Sequence, residues 1–201
     1  MNFADKGLVL GAVFAGGASR RYGSDKALAL LGGVPLLERV VTRARPQVDE
    51  LVLSGAARDG FPLTAIPDNA ADAGPLAALC SVLAWAERRS FPLVATFSCD
   101  APFVPHDLVQ SLHAALRDHD CAVAGGAGVI HPTFALWRTG MRERLDAAYA
   151  GGTRSLHGAI AAVRSTVADF SPVKDGPGDD PFFNISTPGD MALAEAWELT
   201  R

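Results

Sequence analysis

A short segment near the start of the chain concentrates glycines and cations. Residues 11–33 read GAVFAGGASRRYGSDKALALLGG, in which Gly16 and Gly17 are followed by Arg20, Arg21 and Lys26. Adjacent glycines let backbone N–H groups point at phosphate oxygens. Arginine adds a bidentate fork and lysine a point charge for the same anion. The spacing therefore favours a polyphosphate site, with a nucleoside triphosphate as its natural ligand.

The common phosphate-binding patterns do not describe this segment. It contains neither the dinucleotide pattern G-x-G-x-x-G nor the Walker pattern G-x-x-x-x-G-K-[ST], because Gly23 is followed by Ser24, Asp25 and Lys26. A plain turn between a strand and a helix, with permissive glycines and solvated arginines, stays open as an alternative.

Two acidic residues follow predicted strands. Asp100 comes directly after PLVATFSC, and an acid past the end of a buried strand suits Mg²⁺ or a sugar hydroxyl. Asp68 follows a second candidate strand, from which it could contact a base or a ribose. The alternative for both residues is a turn-forming aspartate. Cys99 has no basic neighbour in the sequence, so we expect an inert thiol there.

His131 and Asn184 are further polar candidates. A lone histidine such as His131 is more often structural than a general base. Thr187, Pro188 and Asp190 resemble a helix start with a capping box, which explains Thr187 but leaves Asn184 without a local role.

These residues need a scaffold that brings strand ends together. Continuous apolar runs such as LVLGAVF indicate strands buried on both faces of a sheet, and they alternate with segments of helical periodicity. We expect strands over 8–14, 50–54, 63–67, 92–97, 121–124, 133–137 and 167–170, and helices that begin near residues 35, 75, 108, 141 and 188. This alternation predicts an α/β fold, a doubly wound and mostly parallel sheet with helices on both faces. Only 174–180 reads as an exposed, mobile loop.

Composition narrows the class of protein. The 201 residues fit one domain, residues 1–201, that buries roughly 70% of its unfolded surface. Eighteen Lys and Arg against 22 Asp and Glu give a net charge of −4, which argues against a nucleic-acid partner. Three widely spaced cysteines indicate neither disulfides nor a zinc site. No signal peptide or membrane-spanning run is present, so we expect a cytoplasmic protein without a membrane partner.

The ordered set of motifs resembles a known family, the molybdenum cofactor guanylyltransferases within the nucleoside-triphosphate-dependent nucleotidyltransferases. The resemblance extends over residues 14–192. The matching segments are FAGGASRRYGSDKALALLGGVPLL, PDNAADAGPLAAL, FSCDAPFVP, HPTFALW and FFNISTPGDMA. Their order and spacing are much more specific than any one of them.

The resemblance implies a Rossmann-like, three-layer sandwich of the nucleotide-diphospho-sugar transferase type and transfer of GMP from GTP to molybdopterin, with Mg²⁺ as cofactor and release of pyrophosphate. It implies catalytic roles for Arg21, Lys26 and Asp100, with Asp100 also as metal ligand. It admits transient contacts with other proteins of cofactor biosynthesis or with molybdoenzymes. Nucleotide contacts are implied at Phe14, Ala15, Gly16, Gly17, Lys26, Ser54, Asp68 and Asp100, and an acceptor contact at Asn184.

Some positions depart from the family pattern. Ser54 and Ser186 stand where the family commonly has asparagine, and a hydroxyl cannot reproduce the paired donor and acceptor of an amide. The base and the acceptor are therefore the open part of the prediction. A related cytidylyltransferase or sugar-phosphate nucleotidyltransferase, and a nucleotide sensor without turnover, are the alternatives.

Overall fold

A seven-stranded sheet is the centre of the molecule. The computed structural model describes residues 7–16, 25–67, 74–126, 128–171, 173 and 175–200, and in these ranges the sheet carries helices on both faces, which confirms the predicted α/β class. The strands of this sheet are β1 Val9–Phe14, β4 Glu50–Ser54, β5 Thr64–Ile66, β6 Leu93–Ser98, β7 Cys121–Gly126, β8 Val129–Arg138 and β9 Ser165–Asp169. Two short strands, β2 Leu30–Leu31 and β3 Val34–Pro35, form a separate two-stranded sheet. The helices are α1 Leu36–Ala44, α2 Pro75–Arg88, α3 Leu108–Leu116, α4 Arg142–Ala150, α5 Leu156–Ala161 and α6 Pro188–Glu198.

The strand order determines which loops meet. The order is β5-β4-β1-β6-β8-β7-β9, and β8 alone among these described strands runs antiparallel to its neighbours. Phe14 at the end of β1 is in register with Ser54 of β4 and Ser98 of β6. The loops after β1, β4 and β6 therefore leave the sheet at one level, and the start of β8 reaches the same edge.

Both faces of β1 are buried, which explains its continuous apolar sequence. Leu10 and Ala12 pack with α2 and α5 on one side, and Val9 and Val13 pack with α1 and α3 on the other. A strand covered on both sides has no reason to alternate apolar and polar residues. The first strand is thus a rigid base for the residues that follow Phe14.

A small third cluster joins the early and late parts of the chain. A turn at Gly32 and Gly33, both with positive φ, joins β2 and β3 into a hairpin before α1 begins. Leu31 of this hairpin packs with Ile185 and with Ala194 of α6. The last helix is therefore anchored beside the hairpin that follows the first loop.

Besides the short strands β2 and β3, which were not predicted, two elements differ from the sequence-based prediction. β8 begins at Val129 and not at residue 133, because Pro132 does not prevent the antiparallel pairing of β8 with β7. Helix α5 was not predicted, since its six residues include Gly158 and give little periodic signal. The strands and helices predicted elsewhere are present, with ends shifted by a few residues.

The predicted exposure of the loop 174–180 holds for only some of its described residues, such as Gly178 and Asp179. Pro177–Asp179 forms a single 3₁₀ turn, and Gly176 and Pro177 are buried. Asp175 pairs with Arg43 of α1 at 2.9 Å. Burial and an ion pair with α1 thus fix the described part of this segment, although its composition alone indicated exposure.

Asp107 does not cap the helix that follows it. It precedes α3, but its carboxylate makes no capping hydrogen bond to the helix backbone.

Among the described residues, no helix combines the length and apolar character that crossing a membrane requires.

Gly55 is a position where the backbone requires glycine. Its φ is +117°, and an added Cβ would lie 3.1 Å from the Gly16 backbone nitrogen. We expect Gly55→Ala to lower the free energy of unfolding by roughly 1–3 kcal/mol, from strain and from crowding against Gly16. Urea unfolding measures the loss. Gly140→Ala, with open space and no positive φ, is the control and should change stability by less than about 0.5 kcal/mol; equal effects of the two variants would contradict this account.

Candidate functional site

An ion pair connects the first loop to the end of the neighbouring strand β6. Lys26 begins a short 3₁₀ turn, Lys26–Leu28, and Asp100 lies two residues past β6. Lys26 Nζ is 2.5 Å from Asp100 Oδ2, and the side chains are only 14% and 16% exposed. Partial burial strengthens such a charge-assisted contact relative to water. Two residues predicted as catalytic from separate motifs are therefore in direct contact.

Asp100 has further hydrogen-bond donors. Ser98 Oγ donates to Asp100 Oδ1 at 2.5 Å. With its nitrogen facing the carboxylate, the amide of Asn184 donates to both oxygens of Asp100, at 2.9 Å to Oδ2, and accepts from Ser186 Oγ at 3.1 Å. Lys26 Nζ also donates to Ser186 Oγ at 3.3 Å. The carboxylate is thus held in one orientation from three directions.

The segment that carries Asn184 and Ser186 is fixed by the start of α6. The predicted capping box is present: Thr187 Oγ1 accepts from the Asp190 backbone, and Asp190 Oδ2 accepts from the Thr187 backbone. The same carboxylate oxygen accepts from Ser186 N at 2.9 Å. Desolvation opposes ionisation of Asp190, but these hydrogen bonds prevail and lower its pKa. The Ile185 backbone donates to Asp100 O at 2.9 Å and brings the segment against β6.

Arg58 holds the described residues on either side of the first loop, a role that sequence reasoning missed. Its Nε donates to Asp25 Oδ2 at 2.8 Å and its Nη2 to Ala15 O at 2.6 Å. Asp25 in turn accepts from Ala27 N at 3.1 Å and so orients the turn that presents Lys26. No spacing rule singles out Arg58, because its partners belong to another part of the chain.

A cavity opens beside the ion pair. Its volume is about 340 Å³, and Phe14, Gly16 and Asp100 line it together with Thr133 of β8 and the start of α5. This volume lies in the usual range for small-ligand sites. The end of β1, the start of the first loop and the Asp100 carboxylate therefore face one ligand-sized space.

Of the other predicted contact residues, some are buried and some lie outside the described part of the chain. Ala15 is buried and donates through its backbone to Ser54 O at 3.1 Å. Ser54 itself is 1% exposed, so its side chain is not presented to solvent. Four predicted residues, Gly17, Arg20, Arg21 and Asp68, lie outside the described residues.

The nearby thiol and imidazole lie apart from the hydrogen bonds around Asp100. Desolvation, followed by the charge of Asp100, raises the pKa of Cys99 to about 12, which agrees with the expected inert thiol. The ring of His131 packs against Phe182 at 4.6 Å, and burial lowers its pKa. In the described part of the chain, no three His, Cys, Asp or Glu side chains form a metal-ligand group. Asp100 is thus a single carboxylate among neutral donors and one cation.

A family model and individual relatives of known name identify the same family for this chain. The family model of the MobA-like NTP transferase domain matches residues 11–166. A molybdenum cofactor guanylyltransferase of Rhodobacter capsulatus is 36% identical over 192 residues, which cover 93% of this chain and 95% of the relative. One of Mesorhizobium japonicum is 40% identical over 197 residues, with 92% and 94% covered.

Solved structures share the fold at lower identity. Molybdopterin-guanine dinucleotide biosynthesis protein A from Archaeoglobus fulgidus matches with a TM-score of 0.75 and 22% identity, covering 96% of this chain and 100% of that one. The 2-C-methyl-D-erythritol 4-phosphate cytidylyltransferase from Thermus thermophilus matches with a TM-score of 0.64 and 21% identity, over 94% and 98%. The fold thus occurs in proteins named for different nucleotides.

We expect the cysteines of the folded protein to react slowly with iodoacetamide. Desolvation is the main cause that raises the pKa of Cys80 and of Cys99 to about 12 and raises that of Cys121 as well. Little thiolate then exists at about pH 8, and alkylation should be at least about 100-fold slower than in concentrated urea. Mass spectrometry of each cysteine peptide measures the rates. Rapid labelling of Cys99 in the folded protein would contradict the inert assignment.

Proposed function

Because this chain belongs to the MobA-like NTP transferase family, we propose that it transfers GMP from GTP to the terminal phosphate of molybdopterin and releases pyrophosphate. The observation that carries the proposal is the Lys26–Asp100 pair beside the cavity that Gly16 lines. In this pair, Lys26 is the proposed cation for the triphosphate and Asp100 is the proposed carboxylate ligand of a metal, and both lie at the same edge of the sheet. The two curated relatives described above, both named as molybdenum cofactor guanylyltransferases, support the choice of base and acceptor.

The proposed reaction is an in-line displacement. A phosphate oxygen of the acceptor attacks the α-phosphorus of GTP, and the bond from that phosphorus to the bridging oxygen of pyrophosphate breaks. Such transfers need positioning and charge neutralisation more than covalent help from the protein. The acceptor phosphate is already ionised, so no general base is required. This agrees with the position of His131 outside the Asp100 cluster.

The chain's own groups then have separate tasks. The backbone N–H groups of Gly16 and Gly17, with Lys26 and Arg21, are proposed to hold the triphosphate. Phe14, Ala15, Ser54 and Asp68 are the remaining proposed nucleotide contacts, and Asn184 is proposed on the acceptor side. The contact of Asn184 with the Asp100 carboxylate supports this proposed role.

Magnesium fits the donor set at Asp100. Mg²⁺ is usually bound by one or two carboxylates together with substrate phosphates and water, and it does not require a cage of protein ligands. Asp100 would hold it, with Ser98 and Asn184 keeping the carboxylate oriented. Bound there, Mg²⁺ supplies charge neutralisation at the phosphate that is transferred.

The proposal includes one catalytic domain that works in the cytoplasm, where cysteines stay reduced.

A second candidate, transfer from CTP or to a sugar phosphate, is favoured by one observation. Ser54 stands where an amide is expected and is 1% exposed, so guanine gains no amide contact there. The cytidylyltransferase of Thermus thermophilus has the same fold. A sensor without turnover is distinguished from both enzymes by the absence of pyrophosphate release.

Asp100→Asn should lower the rate of pyrophosphate release from GTP and molybdopterin by about 100-fold or more, because the metal ligand is lost. Lys26→Gln should raise the KM for GTP and lower kcat, because the amide is uncharged. Asp107→Asn is the matched control, since that carboxylate is exposed and accepts from Ser111 Oγ at 3.4 Å. An unchanged rate in Asp100→Asn, with normal folding, would contradict the metal assignment.

GTP with Mg²⁺ should protect the protein against thermal unfolding more than CTP, UTP or ATP does. A ligand at ~100 times its Kd adds about 2.7 kcal/mol of stability. Thermal shift at equal nucleotide concentrations makes the comparison. Strongest protection by CTP would replace the guanylyl assignment with a cytidylyl one.

A further inference from the structure

Arg58, in the segment that follows β4, makes four hydrogen bonds to protein acceptors. Its Nε donates to Asp25 Oδ2 at 2.8 Å, and its Nη2 donates to Asp25 Oδ1 at 3.3 Å. Nη2 also donates to Ala15 O at 2.6 Å, and Nη1 donates to Ala56 O at 3.2 Å. These bonds use most of the N–H groups of a guanidinium, and the side chain is only 13% exposed. Such a side chain is arranged to hold other parts of the protein.

The bond to Ala15 O orients the peptide group that joins Ala15 to Gly16. In a trans peptide unit, the C=O and the following N–H lie in one plane and point in opposite directions. Phe14 O accepts from Cys99 N at 3.2 Å on the β6 side of β1. One residue later, Ala15 O accepts from Arg58 on the β4 side. The N–H of Gly16 therefore points to the β6 side, where the end of β6 and Gly16 line the same cavity.

The bond to Asp25 orients a second group proposed to bind phosphate. Asp25 caps the short 3₁₀ turn that begins at Lys26, because its Oδ1 accepts from Ala27 N at 3.1 Å. Arg58 holds both carboxylate oxygens of Asp25, so the capping side chain is fixed in one rotamer. The start of the turn, and with it the backbone of Lys26, is fixed in consequence.

The backbone before Arg58 gives the guanidinium a firm support. Ser54 O, at the end of β4, accepts from Ala15 N at 3.1 Å. Gly55 lies so close to Gly16 that an added Cβ would be 3.1 Å from the Gly16 nitrogen. The segment that carries Arg58 thus packs against the same stretch of backbone that its side chain holds.

Resting on the proposed function, we infer that Arg58 is a positioning residue for the triphosphate. Through Ala15 O it directs the N–H of Gly16, and through Asp25 it directs the ammonium group of Lys26. One guanidinium then sets two of the groups proposed to bind phosphate oxygens. Both are assigned to phosphates and not to the base, so this role holds for any nucleoside triphosphate that the site takes.

Arg58→Gln and Arg58→Lys test this role as a pair. Glutamine removes both charge and fork, whereas lysine keeps the charge but has one donor atom, which cannot hold Asp25 and Ala15 O as the planar fork does. We expect both variants to raise the Kd of GTP with Mg²⁺ by about 10- to 100-fold, because misdirected donors bind phosphate oxygens poorly. Calorimetric titration without acceptor measures the Kd. Arg45→Gln makes the same change in charge at an exposed position before β4, at the opposite edge of the sheet, and should leave the Kd unchanged.

A second measurement separates positioning from a general loss of structure. At saturating GTP, the KM for molybdopterin should stay at its wild-type value in both Arg58 variants, whereas a damaged fold would raise it together with the KM for GTP. Equal increases in the two KM values would overturn the positioning role. So would a wild-type Kd of GTP in Arg58→Gln, or recovery of that Kd by lysine, since charge alone would then be sufficient.

Asp25→Asn decides the question if neither Arg58 variant folds. The asparagine oxygen can still accept from Ala27 N, but the ion pair with Arg58 is lost while the bond to Ala15 O remains. We expect a smaller rise in the Kd of GTP, and a wild-type Kd would overturn the positioning role. These titrations need no turnover, so they are separate from pyrophosphate release, which tests the proposed function. If the wild-type protein binds another nucleoside triphosphate in place of GTP, the guanylyl assignment fails, and the same variants are titrated with that nucleotide.

Discussion

The partly buried ion pair between Lys26 and Asp100 is the contact on which the arrangement of the site depends. A charge withdrawn from water needs a partner, and removing one member leaves the other uncompensated. The pair forms because β1 and β6 are adjacent and in register, so the residues that follow them emerge together. Ser98 and Asn184 donate further hydrogen bonds to the same carboxylate. The geometry is thus a consequence of sheet order and is reinforced by neutral donors.

Much of the fold could be predicted from the sequence, because the sheet is buried on both faces. Strands such as β1 and β6 are short apolar runs between turn residues, and the helices between them have clear apolar faces. The exceptions follow from weak local signals. Pro132 concealed the start of β8, and Gly158 weakened the helical pattern of α5. In 174–180, composition indicated exposure, whereas contacts with distant residues such as Arg43 decide the structure.

The sequence singles out Lys26 and Asp100 as candidate site residues but does not predict the contact between them. Lys26 and Asp100 each stand in a recognisable motif, yet no pattern says that they touch. Arg58 and Ser98 were not identified as site residues, because an isolated arginine or serine has no characteristic spacing. Their roles come from hydrogen bonds to Asp25, Ala15 and Asp100, which only the folded chain brings within reach.

The site brings together residues that are synthesised early and residues that are synthesised late. Lys26 and Ser186 are 160 positions apart, and Ser186 is held by the start of α6, the last helix of the fold. Domains begin to fold while their N-terminal part is being synthesised. A nascent chain can therefore pair β1, β4 and β6 long before it can orient the Asp100 carboxylate. The hydrogen bonds that orient this carboxylate then form late in translation, after the sheet that supports them.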